Sequence, residues 1–498
     1  MSTSAASEQV EEEVIVKLYS RAGLARLGLA LLAACGLTSH AKEAPPKNPV
    51  PAASGRTSTT PPPEAPAKAP PAGPASSTPS APQPPAPVPD PAAPVRIVAG
   101  ASATLSGGSA AIAPSPVAAH QGSLVIIGGG LRGDNADVWQ RVVKLAGGKG
   151  ARIAVFPSAA GNPERSAQII IGYLRKWGAD AFLVPVAVRL TGSDYKKNAD
   201  DAALAKKIRE ADGVYFAGGD QGRITKALVR EDGSQTAVLE AVWDVYRRGG
   251  VIAGTSAGAA IMSSTMFANP KAVLAMLQTG IADGRELGPG LGFIGDDVFV
   301  DQHLLVRGRF ARMIPAMLAK GYQIGLGIDE DSAMVVNAQR EVEIIGYKGA
   351  LLIDLSRAEW DKANPHFGVR NAVISYLDRG DKFSIASHMF TPATDKAAGR
   401  IDPTRTLGRG AVFSNDVLGN SAVVDLMERL IDSNQEEAIG IASGNPRASG
   451  TEVGFEFRFT KTPDSVGYVS TVGEAYSVLN IRLDIRPIEI TRPLYKYK

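Results

Sequence analysis

The residue with the clearest chemical potential is Ser256, which lies in the stretch Gly254-Thr255-Ser256-Ala257-Gly258. An apolar run at 251–253 precedes this stretch and small helix-forming residues follow it, so the pattern predicts a buried strand, a tight turn and a helix start. A serine at such a turn is held in a strained bend with its hydroxyl exposed at the carboxyl edge of a sheet. The flanking glycines remove the Cβ atoms that would clash as the chain reverses. Ser256 is therefore the candidate nucleophile.

A glycine-rich turn between strand and helix can also be structural or bind phosphate, so a serine mechanism requires a base and an acid elsewhere. The strand-like stretch Val298-Phe299-Val300-Asp301-Gln302 ends on His303, and the short run at 325–328 ends on Asp329 and Glu330. Because sites of α/β sheets are built at the carboxyl ends of strands, we expect serine, histidine and one acid to meet at one sheet edge. Strand alternation lets only one of the two acids face that edge.

The overall composition describes a long chain with balanced charge. It has 498 residues, a formal net charge of +3 and 21% charged residues, which gives no support for nucleic-acid binding. Residues 45–94 hold 19 of the 34 prolines and predict an extended spacer. The remainder, from about residue 120, is long enough to bury a large core.

Cys35 is the single cysteine, and it closes a short apolar stretch at 27–34 that basic residues precede. This order of regions is typical of an export signal, and the apolar stretch is too short to span a membrane. The ending Leu-Ala-Ala-Cys resembles the lipobox of bacterial lipoproteins, in which the cysteine is lipidated. We expect an exported protein that is lipid-anchored to the cell envelope. The alternative is a cytoplasmic chain with a chance Ala/Leu patch.

Strand and helix patterns alternate along the middle of the chain, which predicts a parallel sheet with helices on both faces. Strands are predicted at 122–130, 152–157, 181–186, 213–217 and 251–253, and helices at 137–146, 163–177, 200–210 and 236–248. Antiparallel strands that close the sheet are predicted at 333–336, 342–345 and 350–353, with further β structure at 371–385. The last hundred residues predict a helix at 422–433 and strands at 454–460, 466–471 and 478–488.

These patterns divide the chain into four segments. We expect a lipoprotein signal peptide over 1–34, a disordered tether over 35–118, a catalytic domain over 119–392 and a small α+β extension over 393–498. The extension could cover a sheet edge, bind a substrate particle or form a homodimer contact. The glycine triplet at 128–130 lacks the spacing and the acidic residue of a dinucleotide site, so no nucleotide cofactor is expected.

Four motifs in order resemble the cyanophycinase family, which includes aspartyl dipeptidases: serine exopeptidases with a class I glutamine amidotransferase-like fold. The motifs are the glycines at 128–130, Ala217-Gly218-Gly219-Asp220-Gln221, Gly254-Thr255-Ser256-Ala257-Gly258, and Asp301-Gln302-His303 with its arginines, followed by Gly327-Ile328-Asp329-Glu330. The resemblance spans about residues 121–383. It implies a three-layer α/β/α sandwich with a mainly parallel sheet, and a reaction without metal or cofactor.

Carried over position by position, the resemblance implies that Ser256 is the nucleophile, His303 the general base and Glu330 the acid that orients the imidazole. The oxyanion that forms on the attacked carbonyl needs preorganised N–H donors. The backbone amide of Ala257 should be one of them, and Gly219 or Asp220 should give the other.

The resemblance also implies a substrate cleft. Cyanophycin is a poly-aspartate chain with arginine on each side-chain carboxyl, so every unit offers a carboxylate and a guanidinium. Arginines suit the carboxylates, and Asp301 and Asp220 suit the guanidinium. The positions implied to line the cleft are Gln221, Asp301, Gln302, Arg307, Arg309 and Arg312.

We therefore expect an exported serine peptidase that hydrolyses cyanophycin to β-Asp-Arg dipeptides. One alternative keeps the triad but acts on an aspartyl dipeptide or another acidic peptide. A second is a surface lipoprotein whose domain only binds a peptide or polymer. A glutamine amidotransferase is disfavoured, because those enzymes place cysteine where this chain has Ser256.

Overall fold

The computed structural model describes residues 94–97, 122–402 and 408–498. Cys35, the expected signal peptide and most of the expected tether lie outside the described residues. The strands are β1 Val95–Arg96, β2 Ser123–Ile127, β3 Arg152–Phe156, β4 Asp180–Leu183, β5 Gly213–Phe216, β6 Val251–Thr255, β7 Thr265–Phe267, β8 Leu287–Pro289, β9 Val298–Gln302, β10 Ile324–Ile328, β11 Ser332–Val336, β12 Glu341–Gly346, β13 Ala350–Asp354, β14 Glu359–Trp360, β15 Val369–Leu377, β16 Lys382–Ser384, β17 Met389–Thr391, β18 Val412–Ser414, β19 Glu437–Ala442, β20 Gly450–Thr460, β21 Val466–Val469 and β22 Tyr476–Arg492. The helices are α1 Ala136–Leu145, α2 Pro163–Lys176, α3 Tyr195–Ala199, α4 Ala202–Arg209, α5 Gln221–Leu228, α6 Ala237–Arg247, α7 Ala257–Ala260, α8 Val273–Thr279, α9 Phe310–Lys320, α10 Thr394–Ala397 and α11 Ala422–Ile431.

The first sheet has the strand order β1-β17-β16-β12-β11-β2-β6-β5-β3-β4. Strands β2, β6, β5, β3 and β4 run parallel, as their alternation with helices predicts. Alternate residues of β2 enter different cores, with Leu124 and Ile126 on one face and Val125 and Ile127 on the other. Helix α6 packs in the first of these cores, and helices α1 and α2 pack in the second. The expected α/β/α layering is confirmed.

The second sheet has the order β18-β19-β20-β22-β15-β13-β10-β9, in which β9 and β10 are parallel. Most of its other pairs are antiparallel, including the long ladder between β20 and β22. Strand β22 also pairs with β15, from Val369↔Ile485 to Tyr376↔Val478. Residues on both sides of position 393 therefore share one sheet and one core. The C-terminal residues complete this sheet and do not form a separate extension.

The structure differs from the expected pattern in two further places. Strand β13 joins the second sheet, whereas β11 and β12 extend the first. Strand β1 lies inside the expected tether, where Val95 pairs with Phe390 and Ile97 is buried. Its short apolar alternation suffices for an edge strand, so the tether is not unstructured along its whole length. None of the helices in the described part of the chain is long and apolar enough to cross a membrane.

Candidate active site

Ser256 stands between β6 and α7 with φ 53° and ψ −110°. Residues with side chains rarely adopt this conformation, and such strain costs about 1–3 kcal/mol. The flanking glycines are needed because the backbone is crowded here. A Cβ added at Gly254 would lie 2.2 Å from the carbonyl oxygen of Gly258, and one at Gly258 would lie 2.4 Å from that of Phe216. The turn fixes the serine at the end of the strand.

Two successive hydrogen bonds connect three side chains from distant parts of the chain. The Oγ of Ser256 lies 2.7 Å from Nε2 of His303, and Nδ1 of His303 lies 2.6 Å from Oε1 of Glu330. Both distances are those of direct hydrogen bonds. The structure thus brings together the three residues that the motifs singled out.

The three side chains do not come from one sheet edge, as the sequence led us to expect. Ser256 follows β6 of the first sheet, whereas His303 and Glu330 follow β9 and β10 of the second. The sheets meet where the N–H of His303 donates to the carbonyl oxygen of Gly128, 2.9 Å away. The chain then crosses from β10 to β11, and so from one sheet to the other, through residues 329–331.

The glycine triplet at the end of β2 packs directly against the side chains of His303 and Glu330. A Cβ added at Gly129 would lie 2.2 Å from Cε1 of His303, and one at Gly130 would lie 2.9 Å from Oε2 of Glu330. Both glycines also have positive φ, at 112° and 54°. The sequence analysis rejected a nucleotide site here but missed this role. The signal was a glycine run at a strand end.

Asp329 and Glu330 point in different directions. Asp329 is buried, and its Oδ1 accepts hydrogen bonds from the backbone N–H groups of Leu305 and Val306, at 3.0 and 3.1 Å. Its Oδ2 lies 2.6 Å from Nζ of Lys348. Asp329 therefore anchors the segment that follows His303, whereas Glu330 contacts the imidazole.

The surroundings of His303 set its charge. Burial lowers the pKa of His303; the hydrogen bond to Glu330 opposes this, and the charges of Arg307 and Arg309 lower it further. The hydrogen bond with His303 holds the pKa of Glu330 below its usual value, against the effect of burial. Near neutral pH the imidazole is thus uncharged and the carboxylate ionised. The carboxylate accepts a hydrogen bond from the N–H at Nδ1, which leaves Nε2 free to accept one from the hydroxyl of Ser256.

Two backbone amides close to Ser256 are candidate donors to an oxyanion. Ala257 is the first residue of α7, so its N–H has no carbonyl partner within the helix. Gly219 follows Gly218, where an added Cβ would lie 3.2 Å from the Cβ of Ser256. The alternative donor Asp220 is wrong, because its N–H donates to the carbonyl oxygen of Ala159, 3.0 Å away. Gly219 remains as the second candidate donor.

The expected roles of Asp301 and Arg312 in binding substrate need correction. Their side chains are only 2% and 4% exposed, and Nε and Nη2 of Arg312 lie 2.7 and 2.8 Å from the carboxylate oxygens of Asp301. The guanidinium also lies 4.1 Å from the ring centre of Phe267. A buried charge must be paired to be tolerated, and this bidentate pair satisfies both partners. Neither side chain is available to substrate.

The other expected cleft residues differ in their exposure. Nε2 of Gln221 donates to the carbonyl oxygen of Phe267 at 2.6 Å, and Nη1 of Arg309 donates to the backbone and side-chain oxygens of Gln302, both at 3.0 Å. Gln302 is buried, and Gln221 and Arg309 are half-buried. Arg307 is exposed, and its charge acts on both His303 and Glu330. Arg307 is thus the expected cation best placed to reach a ligand.

Asp220 also has local partners. Its carboxylate accepts from the N–H of Gly222 at 2.9 Å, which caps α5, and lies 3.4 Å from Nε of Arg223. Within residues 94–97, 122–402 and 408–498, no group of three or more His, Cys, Asp or Glu side chains could hold a metal ion.

Comparison with known proteins identifies the family of this arrangement. The model of peptidase family S51 matches residues 124–344. These residues are similar to peptidase family S51, and we call them the S51 domain. The match covers β2 through most of β12, and so includes the strands that carry Ser256, His303 and Glu330. The S51 domain makes this protein a serine-type peptidase, as the sequence predicted.

Curated relatives of the S51 domain carry one name. The chain is 27% identical over 277 residues to a cyanophycinase of Synechococcus elongatus, covering 54% of this chain and 81% of the relative. It is 28% identical over 292 residues to a cyanophycinase of Nostoc sp., covering 57% and 91%. A solved peptidase from an acI-B1 Actinobacterium is 22% identical with a TM-score of 0.38, covering 54% of this chain and 98% of that one. The S51 domain is thus cyanophycinase-like.

Proposed function

We propose that this protein hydrolyses cyanophycin to β-Asp-Arg dipeptides, with Ser256 as the nucleophile. The observation that carries the proposal is the hydrogen-bonded chain from Ser256 through His303 to Glu330, on a turn that holds the serine in a strained conformation. The cyanophycinase name of the relatives supports the choice of substrate.

In the first step, the Oγ of Ser256 attacks the carbonyl carbon of the scissile bond while its proton moves to Nε2 of His303. Glu330 keeps the Nδ1 proton in place and stabilises the imidazolium that forms. Because burial lowers the pKa of His303, the imidazole starts uncharged and can take this proton. It then passes the proton to the leaving amine, and an acyl-enzyme ester on Ser256 remains.

The developing oxyanion accepts hydrogen bonds from the backbone N–H groups of Ala257 and Gly219. Preorganised donors of this kind each contribute on the order of 10²–10³ in rate. In the second step, His303 takes a proton from water, which attacks the acyl carbon and releases Ser256 with its hydroxyl restored. The strained turn keeps the serine oxygen and the Ala257 amide in fixed relation throughout.

The substrate assignment is supported by the charges around the triad. Arg307 is exposed, and its charge acts on the triad, so it suits an aspartate carboxylate of the polymer. Arg309 is half-buried and is held by Gln302, so it supplies positive charge at a fixed position. A substrate with a carboxylate in every unit fits this arrangement.

The test is incubation of the full chain with purified cyanophycin, followed by mass analysis of the soluble products. We expect β-Asp-Arg dipeptides, and a loss of about 10⁴-fold or more in rate for Ser256→Ala with an unchanged melting temperature. Aspartyl dipeptides serve as competing substrates in parallel reactions. Cleavage of these with intact cyanophycin would overturn the substrate assignment and leave the serine mechanism standing.

We also propose that the protein is exported and lipid-anchored through Cys35, which lies outside the described residues. The support is the order of basic, apolar and small residues before the cysteine. Expression of the full chain in a bacterium should yield a membrane-bound, lipid-labelled product, and Cys35→Ala should release it. A Cys35→Ala variant that still carries lipid label would contradict this proposal.

A further inference from the structure

Three side chains form a surface beside Glu330 that the peptidase mechanism does not use. Arg132 and Asp134 lie in the loop after the glycine triplet, and Tyr347 lies in the turn between β12 and β13. Asp331, the residue after Glu330, fixes two of them: its Oδ1 accepts from the N–H of Arg132 at 3.0 Å, and its carbonyl oxygen accepts from the N–H of Tyr347 at 3.2 Å. We call Arg132, Asp134 and Tyr347 the rim.

The rim combines an exposed aromatic ring with charged groups that carry a net negative charge only together with the neighbouring Asp331. Tyr347 is 59% exposed, and the guanidinium of Arg132 lies 5.0 Å from its ring centre. Arg132 pairs with Asp134 at 3.1 Å and lies 3.5 Å from Asp331, so two carboxylates surround one cation. The side chain of Asp134 is 69% exposed. An aromatic face beside an accessible carboxylate suits a second guanidinium.

The two acids expected to bind the guanidinium of the substrate, Asp301 and Asp220, already have partners within the protein. Asp301 is buried against Arg312, and Asp220 caps α5 and contacts Arg223. Arg307 offers the opposite charge, which suits carboxylates. Asp134 also has a partner, Arg132, but its side chain is 69% exposed, compared with 49% for Asp220 and 2% for Asp301.

We propose that the rim binds the guanidinium of an arginine side chain of the polymer, in a unit next to the one being cleaved. The arginine stacks on the exposed part of the Tyr347 ring and forms an ion pair with Asp134. Arg132 already packs against this ring, and Asp331 holds both rim segments beside Glu330. This inference rests on the proposed function, because it assumes that the substrate carries arginine.

The experiment compares a soluble β-Asp-Arg oligomer with the same oligomer in which citrulline replaces arginine, since citrulline keeps the shape but loses the charge. For Asp134→Asn and Tyr347→Ala in the full chain, we expect KM for the arginine oligomer to rise about three- to fivefold with kcat unchanged. KM for the citrulline oligomer should stay at its wild-type value. Tyr347→Phe keeps the ring and should behave as wild type.

Asp425→Asn is the matched control, since Asp425 is a similarly exposed aspartate paired with Arg429 on α11. It should leave KM for both oligomers unchanged. The rim proposal is overturned if Asp134→Asn and Tyr347→Ala, shown to be folded by their melting temperatures, leave KM for the arginine oligomer unchanged. Equal losses on both oligomers would also overturn it. If the wild-type enzyme cleaves neither oligomer nor cyanophycin, the proposed function itself fails.

Discussion

The two sheets of this protein contribute to the site in different ways. The first sheet supplies Ser256 from parallel strands that follow one another closely along the chain, with helices between them. The second sheet supplies His303 and Glu330 from β9 and β10, whose neighbours β13, β15 and β22 come later in the chain. The conformation of the serine is thus set within a few residues. The position of the base and the acid depends on a sheet that closes only when distant segments have paired.

The sheets are joined through a common core. Val298 and Val300 of β9 pack in the same core as Leu124 and Ile126 of β2, whereas Phe299 points into the core of the second sheet. One face of β9 therefore packs against the first sheet, and the other face packs in the core that the C-terminal strands complete. The hydrogen bond between Ser256 and His303 crosses this junction. Damage to either sheet should separate the serine from its base.

The largest effect is expected from a chain that ends at residue 392. This change removes β20 and β22, exposes the edge of β15 and opens the second core, which includes Phe457 and Leu483. We expect little soluble protein, no cooperative melting and no hydrolysis, because a large part of this core is lost. Circular dichroism melting and soluble yield measure the outcome.

The control for this truncation is a chain that begins at residue 94, which retains β1 and should melt like the full protein. If the chain ending at 392 melts cooperatively and hydrolyses substrate, the C-terminal strands are an independent extension after all. The position of His303 and Glu330 would then not depend on the C-terminal strands of the second sheet.

The next effect separates the two neighbouring acids of the second sheet. Glu330→Gln removes the charge that stabilises the imidazolium and puts an amide N–H beside Nδ1 of His303, which favours the wrong tautomer, so kcat should fall on the order of 10³–10⁴-fold with the fold retained. Asp329→Asn disturbs the anchor of Leu305 and Val306 and should lower the free energy of unfolding by about 1–3 kcal/mol. At temperatures where it is folded, Asp329→Asn should keep most of its turnover.

Turnover and denaturant unfolding of both variants, measured side by side, decide between the acids. An inactive but stable Asp329→Asn together with an active Glu330→Gln would exchange their roles. In that case the orienting acid would be Asp329, whose Oδ1 lies 3.0 Å from the backbone nitrogen of Leu305 and has no hydrogen bond to the imidazole in this structure.

The sequence predicted the first sheet better than the second for a physical reason. Periodicity and turn residues are local, so they located β2, β3, β5 and β6, the intervening helices and the serine turn. They cannot say which strand pairs with which, and β9 and β10 were therefore assigned to the wrong sheet. The helix Phe310–Lys320, which carries the buried Arg312, was not among the predicted helices.

Side-chain partners were the other limit of the sequence analysis. The motifs named Asp301 and Arg312 as ligands of substrate, but their types and spacing are equally those of an internal ion pair. Only burial distinguishes the two interpretations, and burial depends on the tertiary fold. The backbone partner of Asp220, Ala159, is similarly remote in sequence. The glycine triplet shows the reverse case, in which a visible signal was assigned no role.

A smaller effect tests whether Arg312 has a structural role, as the buried partner of Asp301, and no role in binding substrate. Lysine cannot form two parallel hydrogen bonds to Asp301 or stack flat on Phe267, so Arg312→Lys should lower the free energy of unfolding by about 2–3 kcal/mol. KM for cyanophycin oligomers should stay close to wild type. Urea unfolding and initial rates measure the two quantities, and the exposed Arg307→Lys is the stability control. A large rise in KM without loss of stability would restore the role of Arg312 in binding substrate.

The smallest effect concerns the pH profile. His303 must be uncharged to accept a proton, so kcat/KM should fall on the acid side as the imidazole becomes protonated. Burial is the main reason that the pKa of His303 lies below 6.5, and the charge of Arg307 lowers it further. Removing this charge makes the imidazolium less unfavourable. Arg307→Gln should therefore raise the pKa of His303 and move the acid limb of the profile to higher pH.

Arg307→Lys keeps the charge, so its acid limb should coincide with that of the wild type even if binding is weaker. Each profile is scaled to its own plateau, which separates the protonation of His303 from any loss of substrate contact. Coincident limbs for Arg307→Gln and the wild type would show that this charge does not reach the imidazole. A shift for Arg307→Gln but not for Arg307→Lys would show that an exposed side chain in the turn after β9, four residues after His303, tunes the base on which the serine of the first sheet depends.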